Sequence, residues 1–69
     1  RSMSEDPIIK KLEELKRAVE EGRVVRISGV RVKKLEYQVT RRGGIIVTIN
    51  DGELVDYARR LLTRRIEVE

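Results

Sequence analysis

The sequence predicts a small α+β domain, ordered as a helix, a three-stranded antiparallel meander, a second helix and a last strand. Two patterns predict this order: apolar residues recur at helical spacing early in the chain and alternate with polar residues in later stretches. The length points the same way, since 69 residues with 39% hydrophobic content suffice for one small core. We expect residues 6–69 to form this domain and residues 1–5 to be a tag remnant or a disordered N-terminus.

The first helix is predicted to begin at Asp6-Pro7. An Asp side chain before a helix accepts an otherwise unpaired backbone N–H, and Pro fits the first helical position, where its missing N–H costs nothing. Gly22 provides a left-handed stop. The predicted apolar face of this helix consists of Ile8, Leu12, Leu15 and Val19, with Ile9 and Ala18 beside them.

The first hairpin is predicted to turn at Ser28-Gly29, because Arg26 alternates with apolar neighbours before it. A two-residue turn there places Ile27 opposite Val30 and Arg26 opposite Arg31. The apolar alternation slips by one residue at Lys33-Lys34. We interpret this slip as a β-bulge in one long, curved strand.

The second hairpin turns within residues 41–44, and two loop lengths compete. A two-residue loop at Arg42-Gly43 would place the apolar residues after the turn on the polar face of the sheet. A three-residue loop from Arg41 to Gly43 keeps the core face apolar and sets a Gly where positive φ is needed. It pairs Val39 with Ile45, Tyr37 with Val47 and Leu35 with Ile49.

The second helix is predicted to begin at residues 50–53, where Asn50 and Glu53 resemble a capping box and Asp51 is a competing cap. The last strand, residues 66–69, then follows a right-handed crossover and runs parallel to the third strand. It lies beside either the third strand or the first, and the sequence leaves both positions open. The result is a four-stranded mixed sheet with both helices on one face.

The composition argues against an enzyme. The chain has no Cys and no His, so thiolate nucleophiles, disulfides and the commonest general base and metal ligand are missing. Asp51, Glu53 and Asp56 fall within one predicted helical turn, but the first turn of a helix is where acids ordinarily lie. We therefore expect no catalytic residues, no cofactor and no metal. The absence of a long apolar run predicts no membrane partner, and localisation stays unknown.

The basic residues suggest one alternative function, the binding of nucleic acid. The net charge is +4, from 16 basic and 12 acidic side chains. An RNA-binding surface would use the first two strands and the second hairpin tip, that is, Arg26, Arg31, Lys33, Lys34, Arg41 and Arg42. The open sheet face is expected to carry no aromatic residue, which argues against base stacking. A second basic group, Arg59, Arg60, Arg64 and Arg65, is interpreted as compensating the dipole of the second helix and contacting Glu67 or Glu69.

Two resemblances bear on function. The first rests on motifs within residues 21–49, namely Gly22, Ser28-Gly29, Tyr37-Gln38-Val39 and Gly43-Gly44. In these motifs the segment resembles the αL RNA-binding domain of a small-subunit ribosomal protein and some pseudouridine synthases. The resemblance covers less than half of the chain and implies RNA binding.

The whole chain resembles de novo designed α+β proteins, in its Asp-Pro helix start, its Gly stop and its short turns. This resemblance implies a designed or engineered thermostable scaffold with no natural ligand and no required partner. A third possibility is a homodimerisation module, in which the bare sheet face or an exposed edge strand pairs with a second copy.

Overall fold

The structure, a computed structural model, describes residues 6–69 as a small α+β fold. The part of the chain that it describes contains one main helix and six strands in two antiparallel sheets of three strands. The elements are α1 (Pro7–Glu20), β1 (Val25–Ile27), β2 (Val30–Arg31), β3 (Leu35–Val39), β4 (Ile45–Ile49), β5 (Leu54–Tyr57), α2 (Ala58–Leu61) and β6 (Ile66–Val68). The first sheet has the order β2-β1-β6 and the second sheet the order β3-β4-β5. The predicted tag remnant lies outside the described residues.

Helix α1 begins and ends as predicted. The Asp6 carboxylate accepts the backbone N–H of Ile8 at 2.9 Å, and Pro7 is the first helical residue. Gly22 follows the helix with a φ of 81°, a left-handed conformation that Gly adopts without strain. The buried face of the helix consists of Ile9, Leu12, Leu15 and Ala18, with Ile8 and Val19 of the predicted face only partly buried beside it.

Both hairpin registers are confirmed. In the first sheet Arg26 faces Arg31 and Ile27 faces Val30. In the second sheet the three-residue loop is confirmed, since Val39 faces Ile45 and the rest of the register follows. The loop closes where the N–H of Thr40 donates to the carbonyl of Gly44 at 2.7 Å.

The predicted β-bulge and single long strand are wrong. Strand β2 ends at Arg31, β3 begins at Leu35, and the two strands belong to different sheets. The slip in apolar alternation therefore marks the point where the chain leaves one sheet for the other. Both Val32 and Leu35 are buried in the common core, which requires the change of phase between them.

The predicted second helix is also wrong over most of its length. Asn50 and Asp51 have φ values of 53° and 59°, and Gly52 has 101°, so the chain reverses instead of starting a helix. Residues 54–57 then form β5, which runs antiparallel to β4. A turn of Asn-Asp-Gly followed by β-branched and aromatic residues favours a hairpin, and helix α2 is left with four residues.

The last strand takes one of the two predicted positions but the wrong direction. Strand β6 lies beside β1, and it runs antiparallel to it, with Arg26 opposite Glu67 and Ile27 opposite Ile66. The expected parallel crossover depended on one helix between the third and last strands. Because β5 inserts an extra reversal, the four-stranded mixed sheet is replaced by two antiparallel sheets.

One apolar core joins the two sheets and α1, which contacts both β1 and β3. Tyr37 lies at its margin, half-buried, and donates its hydroxyl to Glu13 of α1 at 3.1 Å. Burial, with this hydrogen bond, raises the pKa of Tyr37. The fully buried side chains among the described residues are all apolar, the largest being Leu12, Leu15, Ile27, Ile49, Leu61, Val25 and Val47. Among residues 6–69 no helix has the length and apolar character to cross a bilayer.

Candidate interaction surfaces

Arg26 and Arg31 lie side by side on the outer face of the first sheet, as the sequence predicts. Their neighbourhood is acidic as well as basic. Arg26 of β1 faces Glu67 of the neighbouring strand β6, and the Nη1 of Arg26 lies 3.4 Å from Oε2 of Glu69. The positive charge of this face is therefore partly balanced by the end of the chain.

Lys33 and Lys34 lie on the connection between the two sheets. The Nζ of Lys34 is 3.0 Å from Oδ1 of Asp51 and 3.8 Å from Oε1 of Glu36. The hydrogen bond to Asp51, reinforced by the charges of both acids, raises the pKa of Lys34. This ammonium group is thus already engaged by local carboxylates.

Arg41 and Arg42 are exposed in the loop between β3 and β4. The five residues of β3 separate this loop from Lys34, a span of about 17 Å at the usual rise of an extended strand. The six basic residues proposed for nucleic-acid binding therefore do not converge on one site. They divide between the first sheet with its connection and the distant hairpin tip.

In the second arginine group, which includes Arg64 and Arg65, these two side chains have different ion-pair partners. Arg64 Nη2 lies 2.8 Å from Oδ2 of Asp56, whose side chain is only 10% exposed. The other oxygen of Asp56 accepts the N–H of Tyr57 at 2.8 Å. The bond from Arg64 is the main cause that lowers the pKa of Asp56, and the Tyr57 N–H adds to it against the opposing effect of desolvation. Arg65 contacts Glu67 at 3.6 Å, so the expected contact with Glu67 is confirmed.

Asn50 is the main polar link between the two sheets, and the sequence pattern assigned it the wrong role. Its Oδ1 accepts the N–H of Lys33 at 2.7 Å and, more weakly, that of Lys34 at 3.3 Å. Its Nδ2 donates to the carbonyl of Arg31 at 2.7 Å and to Glu53 at 3.3 Å. The predicted contact between Asn50 and Glu53 exists, but it stabilises a turn and the adjoining connection instead of a helix start.

The outer face of the second sheet carries an apolar strip that the sequence pattern missed. Tyr57 faces Ile46 across the β4–β5 pair, and Val55 faces Thr48. Tyr57 is 61% exposed and Val55 57%. The prediction of a sheet face without aromatic residues is wrong, because it placed Tyr57 on a helix. The alternation of Val55 and Tyr57 with Leu54 and Asp56 was the signal for a strand.

No metal-binding group emerges from the described part of the chain, where no cluster of three or more acidic, His or Cys side chains is suitably placed. Comparison with known protein families, with curated proteins and with solved structures finds no match to this chain. The resemblances to designed proteins and to the αL domain consequently stay predictions.

Proposed function

We propose that this chain is a stable α+β scaffold, designed or heavily engineered, with no natural ligand and no catalytic activity. The observation that carries the proposal is the agreement between local signals and the core over residues 6–49. The cap at Asp6, the stop at Gly22 and both hairpin registers all direct apolar residues into one core. Natural sequences commonly break such agreement at a functional site, whereas designed sequences keep it.

Thermal unfolding tests this proposal, because idealised designs are typically hyperstable. Circular dichroism should show one cooperative transition with a midpoint above about 90 °C at neutral pH. A midpoint within the ordinary mesophilic range of about 45–65 °C would contradict the proposal. A chain of 69 residues has few other sources of high stability, since it has no disulfide.

Nucleic-acid binding is the second candidate, and the exposed ring of Tyr57 is the observation that favours it. Ile46, Val55, Tyr57 and Arg60 line one shallow surface beside β5. A base could stack on the tyrosine while the guanidinium contacts a phosphate. RNA-binding sheets commonly stack two or three bases on aromatic residues, and this strip offers one ring.

A binding titration against salt separates the two candidates. The scaffold proposal expects no saturable binding of single-stranded RNA or duplex DNA at low salt. The alternative expects binding that weakens steeply as salt rises, because several phosphate contacts release counterions. Under the alternative, Tyr57→Ala should weaken RNA binding while Arg41→Gln with Arg42→Gln reduces the salt slope.

A further inference from the structure

Strand β6 has one edge that no other described strand covers. It is the last strand of the first sheet, and among residues 6–69 its hydrogen-bonded neighbour is β1 alone. The N–H of Ser28 donates to the carbonyl of Arg65 and that of Glu69 to the carbonyl of Val24, both at 2.8 Å. Because backbone groups alternate along a strand, the N–H and C=O groups of Ile66 and Val68 point away from β1. These groups can pair with another strand.

The side chains beside this edge carry opposite charges two residues apart. Arg65 and Glu67 lie on the outer face of the first sheet, with side chains 80% and 44% exposed. In an antiparallel pair of identical strands, a residue and its neighbour two positions away face each other across the axis. An edge of this kind is complementary in charge to a second copy of itself.

We propose that β6 pairs antiparallel with β6 of a second copy of this chain, around a twofold axis centred on Ile66. The two Ile66 residues then exchange a pair of backbone hydrogen bonds, and Arg65 of each copy faces Glu67 of the other. The two first sheets join into one six-stranded sheet. This assembly goes beyond the scaffold proposal and does not depend on it.

The charges also select the register. Centring the pair on Glu67 would place two Glu67 carboxylates opposite each other, and centring it on Val68 would oppose Glu67 to Glu69. Like charges directly opposite each other destabilise a strand pair. Centring on Ile66 gives two Arg65–Glu67 ion pairs with no like charges opposed, whereas centring on Glu67 would offset two Arg65–Glu69 pairs with the two facing Glu67 carboxylates.

The edges of the second sheet are less suited to the same pairing. On β5 the Asp56 carboxylate already accepts the N–H of Tyr57, one of the outward-pointing groups. No described strand covers the outer edge of β3 either, but pairing two copies about Tyr37 would set Glu36 opposite Gln38 and form no ion pair. The β3 edge therefore offers a matched control, since Val39 and Val68 are similarly exposed, at 43% and 39%.

Sedimentation velocity measures the association directly, and it should extend to about 1 mM protein because short edge interfaces are weak. The unmodified chain should form dimers as the concentration rises. Proline at an outward-pointing N–H blocks pairing at an edge while sparing the internal ladder. Val68→Pro, which removes the outward N–H two residues from the axis, should weaken the dimer, and Val39→Pro should leave it intact. A chain that stays monomeric throughout, or a dimer lost with Val39→Pro alone, would overturn the proposal.

Charge variants test the register without relying on proline. Arg65→Glu and Glu67→Arg should each weaken self-association about tenfold, because two attractive pairs become repulsive. Mixing the two variants should restore association, since every contact in the mixed dimer is again between opposite charges. Circular dichroism checks that each variant is folded. Self-association of either variant as tight as that of the unmodified chain, or a mixture no tighter than either variant alone, would rule out pairing centred on Ile66.

Discussion

Asn50 shows how one side chain can decide the path of the chain. Its amide satisfies backbone groups on both sides of the connection between the sheets, at Arg31 and Lys33. Its own N–H donates to the carbonyl of Lys34 at 3.0 Å. A side chain that replaces several backbone hydrogen bonds makes a connection without regular structure possible.

Asn50→Ala is expected to destabilise the fold by about 2–3 kcal/mol. The change leaves several backbone groups without protein partners and puts a non-Gly, non-Asn residue at a φ of 53°. Asn50→Gly removes the same hydrogen bonds but accepts the positive φ, so it should cost about 1 kcal/mol less. Urea unfolding of both variants measures the two contributions. Equal stability of the unmodified chain and Asn50→Ala would show that the amide does not hold the connection.

Ser28 occupies a turn position with positive φ, which other residue types adopt more readily than Ser. It has a φ of 51° and precedes Gly29 at 80°, the positive pair typical of a tight hairpin turn. Asn adopts this conformation more readily than Ser, so Ser28→Asn should stabilise the fold by about 0.5 kcal/mol. Ser28→Val, which is β-branched, should destabilise it by at least about 1 kcal/mol. Chemical unfolding decides, and a more stable Val variant would contradict this account of the turn.

At the scale of elements, local capping and turn signals predicted α1 and two hairpins correctly. Those elements depend on short-range chemistry: an Asp cap, a Gly stop, and loops whose length fixes which face is apolar. The β4–β5 hairpin was missed because Leu54, Ala58 and Leu61 fit helical spacing as well as they fit the inner side of a strand and a short helix. The choice between them came from residues distant in sequence, among them Lys33 bound by Asn50.

The ion pair between Asp56 of β5 and Arg64, which follows α2, should give the stability of the fold a specific pH dependence. Arg64 and the Tyr57 N–H hold the pKa of Asp56 below its ordinary value, so the ionised carboxylate favours the folded state. This contribution is complete above the unfolded-state pKa of about 3.9 and is lost as pH falls through the lower folded-state pKa.

Asp56→Asn should therefore lower the thermal midpoint at neutral pH and reduce its further fall below about pH 4. Thermal melts between pH 7 and pH 2 measure both effects. Asp51→Asn is the matched control, because the Asp51 side chain is 78% exposed and its partner Lys34 is exposed too. If both variants follow the same pH profile, the Asp56–Arg64 pair does not set the acid stability.

At the scale of the whole molecule, the sequence predicted the α+β class and most of the apolar core but not the sheet topology. The one-residue slip in apolar alternation at Lys33-Lys34 can arise in two ways, from a bulge within one sheet or from a connection between two sheets. Local pattern cannot distinguish them, because in both cases Val32 and Leu35 face the core. The direction of β6 followed from the same choice, since one extra strand reverses the chain before it reaches β1.

The sheet topology also determines which side chains form the exposed surfaces of the molecule. Placing residues 54–57 in a strand exposes Tyr57 on a sheet face and brings Asp56 to Arg64. Placing β6 beside β1 balances Arg26 with acids and creates the free edge at Ile66 and Val68. These four features thus follow from two strand pairings, β4 with β5 and β1 with β6.

Nuclear Overhauser effects between α protons test those two pairings most directly. The registers set Thr48 opposite Val55 and Ile27 opposite Ile66. In each pair the backbone N–H and C=O groups of the two residues point away from each other. Such pairs bring the two α carbons to about 4.5 Å, so strong contacts between their α protons are expected. Their absence, with helical contacts between residues three apart over residues 53–62, would contradict the two-sheet fold and the proposals that depend on it.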